Sequence, residues 1–279
     1  MQALSEAFIH SLVQTIVTSD TLTGIGSQWV LAVGLTGSHA RGMATPYSDV
    51  DIHVYLPVAG TPDYESYQLH RFQQQLVSVT ITTVESKRAE LQRPESAIRT
   101  VPGLRQMRVL YDMPQPDHSG TLAALRQEAV DFQWSPLQPA ADLFASKQVI
   151  GYAEEAHKVL GGLTTNDESV MIYGAYSLVL GLSDIIAVQH GLMLESENTA
   201  FQQVMELMSM TSKWTICFRA AAGYTLSTAR ERARASLCLY AETARHLHAI
   251  IEPRHADVIN AALNLIETDV IRFELTSTN

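Results

Sequence analysis

The sequence predicts an α/β (α+β) domain with a small mixed sheet over residues 1–115, followed by an all-α helical bundle domain over residues 116–279. Three observations lead there. Short β-branched runs bounded by turn residues lie in the first part, whereas from residue 120 onwards apolar residues recur at helical spacing. Between the two, Met113 to Ser119 carries Pro114 and Pro116 and suits an interdomain passage. A chain of 279 residues fits two ordinary domains.

The opening MQALSEAFIHSLVQTIVTSD has no basic n-region, and Leu4, Phe8, Leu12 and Ile16 stand one helical step apart, so it reads as an amphipathic helix rather than an export signal. Gln28 to Thr36 (QWVLAVGLT) and Asp51 to Leu56 (DIHVYL) read as strands. A helix is expected over Asp63 to Gln75. The next strand, Val77 to Val84, puts Val77, Val79 and Ile81 on one face and Ser78, Thr80 and Thr82 on the other, so its polar face should look away from the main core. A loop and a short strand are expected over Arg99 to Asp112. The arginines there, Arg99, Arg105 and Arg108, read as solvated.

Helices are expected over 120–131, 139–161, 167–190, 198–221, 226–251 and 255–268. Ser169 to Val188 is apolar nearly all round, with Gly174 and Gly181 spaced for close helix approach, which marks the central helix of a bundle; Asp184 on it reads as structural.

Composition excludes some classes. Hydrophobic residues at 46%, charged residues at 17% and no apolar run near the ~20 residues of a membrane span describe a soluble, cytoplasmic globular protein. Cys217 and Cys238 are expected as reduced core thiols, not as a disulfide or a zinc site. A formal charge of −10 repels long nucleic acid and favours a small or cationic acceptor. His246 and His248, at i and i+2 on a helix, point to different faces and do not ligate together.

The chemistry sits in Gly37-Ser38-His39-Ala40-Arg41-Gly42, Met43 to Ser48, and Asp49-Val50-Asp51. A strand ending in Gly-Ser and opening a helix presents backbone N–H groups and a hydroxyl to anions, as a triphosphate requires. Carboxylates at i and i+2 on a strand point to one side, so Asp49 and Asp51 can converge on a hard divalent cation, Mg²⁺ above all.

Gly37-Ser38 followed by Asp49-Val50-Asp51 resembles the nucleotidyltransferase superfamily to which DNA polymerase β belongs. Through GSHARGMATPYSDVD the chain is most similar to kanamycin, aminoglycoside and lincosamide nucleotidyltransferases. The resemblance implies Asp49 and Asp51 as Mg²⁺ ligands, Gly37, Ser38 and Arg41 at the phosphates, and Ser48 supporting the loop. It also implies Glu154 as general base and Lys158, four residues on, as a phosphate ligand, with Glu155 the rival base. The superfamily's third metal-site carboxylate belongs in the middle of the next strand, where this chain has only Ser78, Thr80 and Thr82.

The expected activity is transfer of an NMP group from Mg-NTP to a hydroxyl of a small molecule, an aminoglycoside-like antibiotic among the candidates, with pyrophosphate released. Two other outcomes compete with it: a nucleotide-binding or regulatory protein with weak catalysis, and an enzyme that nucleotidylates proteins in the manner of toxin–antitoxin relatives. The resemblance further implies a nucleotide site in the cleft between the two domains and a homodimer.

Overall fold

The computed structural model describes residues 4–57, 63–114 and 120–276, with side chains described as far as residue 268. Two compact units emerge, Met1–Gln133 and Trp134–Asn279.

In the first unit, α1 (Glu6–Thr18) starts at Ser5, whose hydroxyl accepts the Phe8 N–H at 3.1 Å. Then follow β1 (Ala32–Leu35), the single turn α2 (Gly37–Ala40), β2 (Val50–Leu56), β3 (Tyr67–Phe72), β4 (Gln75–Thr83), α3 (Val84–Leu91), α4 (Pro94–Gln106), β5 (Arg108–Asp112) and α5 (Thr121–Val130). The strands form a mixed sheet in the order β3-β4-β2-β1-β5, with β2 and β4 parallel and the other neighbours antiparallel.

The two-residue period of a strand divides the side chains. Val50, Ile52, Val54 and Leu56 of β2 join Val77, Val79 and Ile81 of β4 in one buried core with Phe8, Leu12 and Ile16 of α1. Asp51, His53 and Tyr55, with Ser78, Thr80 and Thr82, take the opposite face, so the polar face of β4 does turn away from the main core. On α3, Lys87 meets Glu90 at 2.8 Å, and Thr100 of α4 donates to Glu90 at 2.6 Å. Gly34 of β1 has no room for a Cβ, since the Met107 sulfur lies where it would stand.

Three expectations in this unit need correction. The helix expected over Asp63 to Gln75 is instead strand β3 and the turn into β4, made by Gln73 and Gln74, both at positive φ (44° and 69°). Two-residue hairpin turns usually announce themselves with Asn-Gly or Asp-Gly, and Gln-Gln gives no such signal. The loop expected from Arg99 is mostly α4, which begins with Pro94 and buries Ala97, Ile98, Val101 and Leu104 despite Pro102 in its interior. The unit also runs past the expected boundary at 115, because the Asp112 carboxylate accepts the N–H groups of Leu122 and Ala123, both at 3.0 Å, and Arg105 donates to the Ala129 carbonyl at 2.8 Å. Of the expected passage Met113 to Ser119, residues 115–119 lie outside the described residues.

The second unit contains α6 (Gln138–Thr165), α7 (Glu168–Gln189), α8 (Glu197–Leu207), α9 (Lys213–Ala222), α10 (Ala229–His246) and α11 (Pro253–Thr276). As expected, α7 is the central helix. It is long and apolar enough to cross a membrane, yet 61% of its most apolar stretch is buried, which is the pattern of a core helix. A Cβ on Gly174 would meet Val159, and one on Gly181 would meet the Tyr152 ring, so both glycines serve the close approach of α6. The helix expected over 198–221 breaks in two: Ser209 turns at φ 68° and Ser212 caps α9 by accepting the Thr215 N–H at 3.1 Å. Trp214 stacks on Phe218 with ring centroids 5.2 Å apart and donates to Thr243 at 2.8 Å, tying α9 to α10.

Cys217 of α9 and Cys238 of α10 are joined in a disulfide, which corrects the expectation of two reduced thiols. The apolar faces that bury them also bring them together, with Cα atoms 5.9 Å apart across a separation of 21 residues. Closing a loop of that size stabilises by about 3 kcal/mol. Replacing both cysteines by serine should therefore shift the guanidinium midpoint down, and dithiothreitol should shift the unmodified protein by a similar amount and leave the variant unmoved.

Candidate active site

The site is built where β1 ends and β2 begins. Thr36 follows β1 and donates its N–H to the Asp51 carbonyl at 2.9 Å, which fixes the turn of α2 beside the first residues of β2. Gly37 opens α2 at φ 65°, a conformation glycine takes without penalty. A side chain there would land on the Asp51 carboxylate, so the bare backbone of Gly37 and the acid of Asp51 occupy adjoining space. Within α2 the amides of Arg41 and Ala40 bond back to Gly37 and Thr36, whereas a helix's first amides have no intrahelical acceptor. Those are the amides of Gly37, Ser38 and His39.

The chain then leaves through an exposed loop. Met43 donates its N–H to the Ser38 carbonyl at 2.9 Å, and Ser48 accepts the Thr45 N–H at 2.9 Å within the loop. Tyr47 at its tip is 95% exposed, leaving the ring free of the unit's own packing.

Asp51 is half-buried and accepts a hydrogen bond from the Ser78 hydroxyl at 3.0 Å, in register with it on the parallel strand. Burial pushes its pKa up, and the charge of Asp49 pushes it further; Ser78, Arg41 and His39 act in the opposite direction. A half-buried carboxylate whose ionisation the charge of Asp49 disfavours, beside a bare glycine turn, suits a divalent cation with oxygen ligands. Such oxygen donors suit Mg²⁺, which Asp49 and Asp51 would hold. Among the described residues no third His, Cys, Asp or Glu joins them, and the residue in register with Asp51 on β4 is Ser78.

Two histidines passed over in the sequence belong to this corner. His39 lies close enough for its charge to favour the Asp51 carboxylate, and its Nε2 is buried without a hydrogen-bond partner. His53, two residues beyond Asp51 on the same face of β2, is pushed down to about 4, first by burial and then by Lys87, so its imidazole is neutral at pH 7. The alternation Asp49-Asp51-His53 was the available signal for the second. The three arginines are exposed, as expected; Arg105 also donates to the Ala129 carbonyl and Arg108 pairs with Glu6 at 2.9 Å.

In the second unit, Lys158 of α6 bridges Glu154 at 3.0 Å and Glu155 at 2.7 Å. The hydrogen bonds to Glu155 and then Glu154 raise its pKa, so it stays charged. Glu154 is 75% exposed at its side chain and Glu155 only 17%, with Oε2 of Glu155 buried and unpartnered. On this helix Val149, Ala153, Ala156 and Val159 form the buried face, while His157 is exposed and bonded to the Ala153 carbonyl.

Residues 20–101 match the family model of the nucleotidyltransferase domain, a stretch that includes Gly37, Ser38, Asp49, Asp51 and the whole of β4. No curated protein matches the chain. Among solved structures it is similar to a nucleotidyltransferase-like protein from Exiguobacterium sibiricum 255-15, at 11% identity and a TM-score of 0.48, over 80% of this chain and 71% of that one. The expected fold class holds: a nucleotidyltransferase domain with a small mixed sheet, followed by a mostly helical carboxy-terminal region.

Proposed function

We propose that this protein transfers an NMP group from Mg-NTP to a hydroxyl of a small molecule, with a cationic, aminoglycoside-like compound as the favoured acceptor class. The observation that carries the reading is the corner in which Asp51, with Asp49 two residues before it, adjoins the bare turn of Gly37. The amides at the start of α2 and the Arg41 guanidinium supply donors and positive charge for phosphate oxygens. Asp49 and Asp51 would hold Mg²⁺, which when bound neutralises charge on the triphosphate. Ser78 orients the Asp51 carboxylate by donating to it. The net charge of −10 draws a cationic acceptor in preference to an anionic one. A role in antibiotic resistance and a homodimer follow from the same resemblance.

The resemblance assigns the general base to Glu154, with Lys158 on the phosphates. Glu155 is the better buried of the two acids that share Lys158. Comparing Glu154→Gln with Glu155→Gln decides between them: the base variant keeps nucleotide affinity and loses turnover.

The alternative reading, a nucleotide-binding protein with little catalysis, is favoured by one observation, the hydroxyl of Ser78 in register with Asp51 in place of an acid. The test is pyrophosphate release from each of four Mg-NTPs against aminoglycosides, lincosamides and other hydroxyl compounds. Acceptor-dependent release establishes the transferase and names its substrate. Nucleotide binding by calorimetry without release would favour the regulatory reading, or modification of a protein, which mass spectrometry on candidate partners detects. Absence of nucleotide binding would overturn the proposal.

A further inference from the structure

His190 caps the end of α7 and His246 is the last residue of α10. Far apart in sequence, they meet in space: their Nε2 atoms are 2.8 Å apart, with ring centroids 5.1 Å apart and planes inclined by 30°. Both residues are exposed and their Nε2 atoms share one hydrogen bond, so a small cation can reach the pair from solvent.

Each ring stands on a fixed mount. The His190 N–H bonds to the Ile186 carbonyl at 3.1 Å, the following Gly191 turns at φ 63° against Trp134, and Gln138 donates to the Gln189 carbonyl at 2.8 Å. The turn after His246 is closed by the Leu247 N–H on Thr243 at 3.0 Å, and Trp214 holds the Thr243 hydroxyl at 2.8 Å. The nearest basic neighbour in sequence, Arg245, is committed to Glu242 at 2.6 Å and Glu267 at 2.9 Å.

With Zn–N bonds of about 2.0–2.1 Å, two imidazole nitrogens on one metal stand about 2.9 Å apart at a right angle and about 3.3 Å apart at the tetrahedral angle. The observed separation is close to the right-angle value, and metal uptake replaces the proton that the two nitrogens share and turns each ring off the line joining them. Burial lowers the pKa of both imidazoles, and His246 lowers that of His190 further.

We propose that His190 and His246 form a two-histidine site for a borderline transition-metal cation, Zn²⁺, Ni²⁺ or Cu²⁺, clasping the carboxy-terminal ends of α7 and α10. Imidazole nitrogen selects this class over Mg²⁺, which seeks oxygen, so the site is chemically separate from Asp49 and Asp51. Among the described residues no third His, Cys, Asp or Glu completes the set, so water fills the remaining positions and the metal stays open to an outside ligand. His248, the neighbour at i+2, takes no part.

The test is titration of the full chain with ZnCl₂ in the presence of millimolar Mg²⁺, followed by calorimetry and by long-range ¹H–¹⁵N spectra of the imidazoles. The expected result is one equivalent of Zn²⁺ bound, movement of the Nε2 resonances of His190 and His246, and a melting temperature that rises with Zn²⁺. Binding should disappear in His190→Gln and in His246→Gln and persist in Asp49→Ala/Asp51→Ala. Binding unchanged in the histidine variants, binding lost only in the aspartate variant, or no binding at all would overturn the site.

Discussion

Asp51→Asn should lower nucleotidyl transfer by roughly a thousandfold and abolish its response to added Mg²⁺, while leaving the protein folded. The two effects separate because the carboxylate is costly where it stands. Burial and Asp49 both disfavour its charge, so neutralising it removes repulsion, and the Asn carbonyl still accepts from Ser78. The thermal midpoint should hold or rise. Pyrophosphate release measured across a Mg²⁺ titration, with a melting curve on the same preparation, checks both halves. Full activity in this variant would remove Asp51 from the machinery.

Gly37→Ala should damage both stability and transfer. The left-handed backbone costs an alanine about 1–2 kcal/mol, and its methyl group would displace the Asp51 carboxylate. Gly42→Ala is the control: it carries the same kind of strain at φ 69°, with nothing within 4 Å of the added carbon. Both variants should lose a similar amount of stability from the backbone. The Gly37 variant alone should also demand much more Mg²⁺ for transfer, read as the concentration giving half-maximal rate. Equal metal requirements in the two would show that Gly37 serves only the turn.

The strands that form the corner were legible because β1, β2 and β4 carry their own pattern: apolar alternation on one face and Asp51, Ser78 and Thr80 on the other. The carboxy-terminal helices were legible for the same reason at helical period, down to the two glycines of α7. Strand β3 was not. Its sequence favours a helix by composition, and its strand state comes from pairing with β4, a tertiary contact that local pattern does not encode. Nor was the Cys217–Cys238 pairing, since burial of a thiol in an apolar stretch says nothing of what faces it from another helix. His190 and His246 were invisible as a pair because only the packing of α7 on α10 unites them.

Strand β2 lies inside the sheet, hydrogen-bonded to β4 on one side and β1 on the other, with Val50, Ile52, Val54 and Leu56 at 0–1% exposure. A strand held in this way has no local route to melting; its amide protons exchange only when the amino-terminal unit opens as a whole. The carboxylate of Asp51 thus inherits the lifetime of the entire domain. Heat inactivation and opening of this unit are then one event.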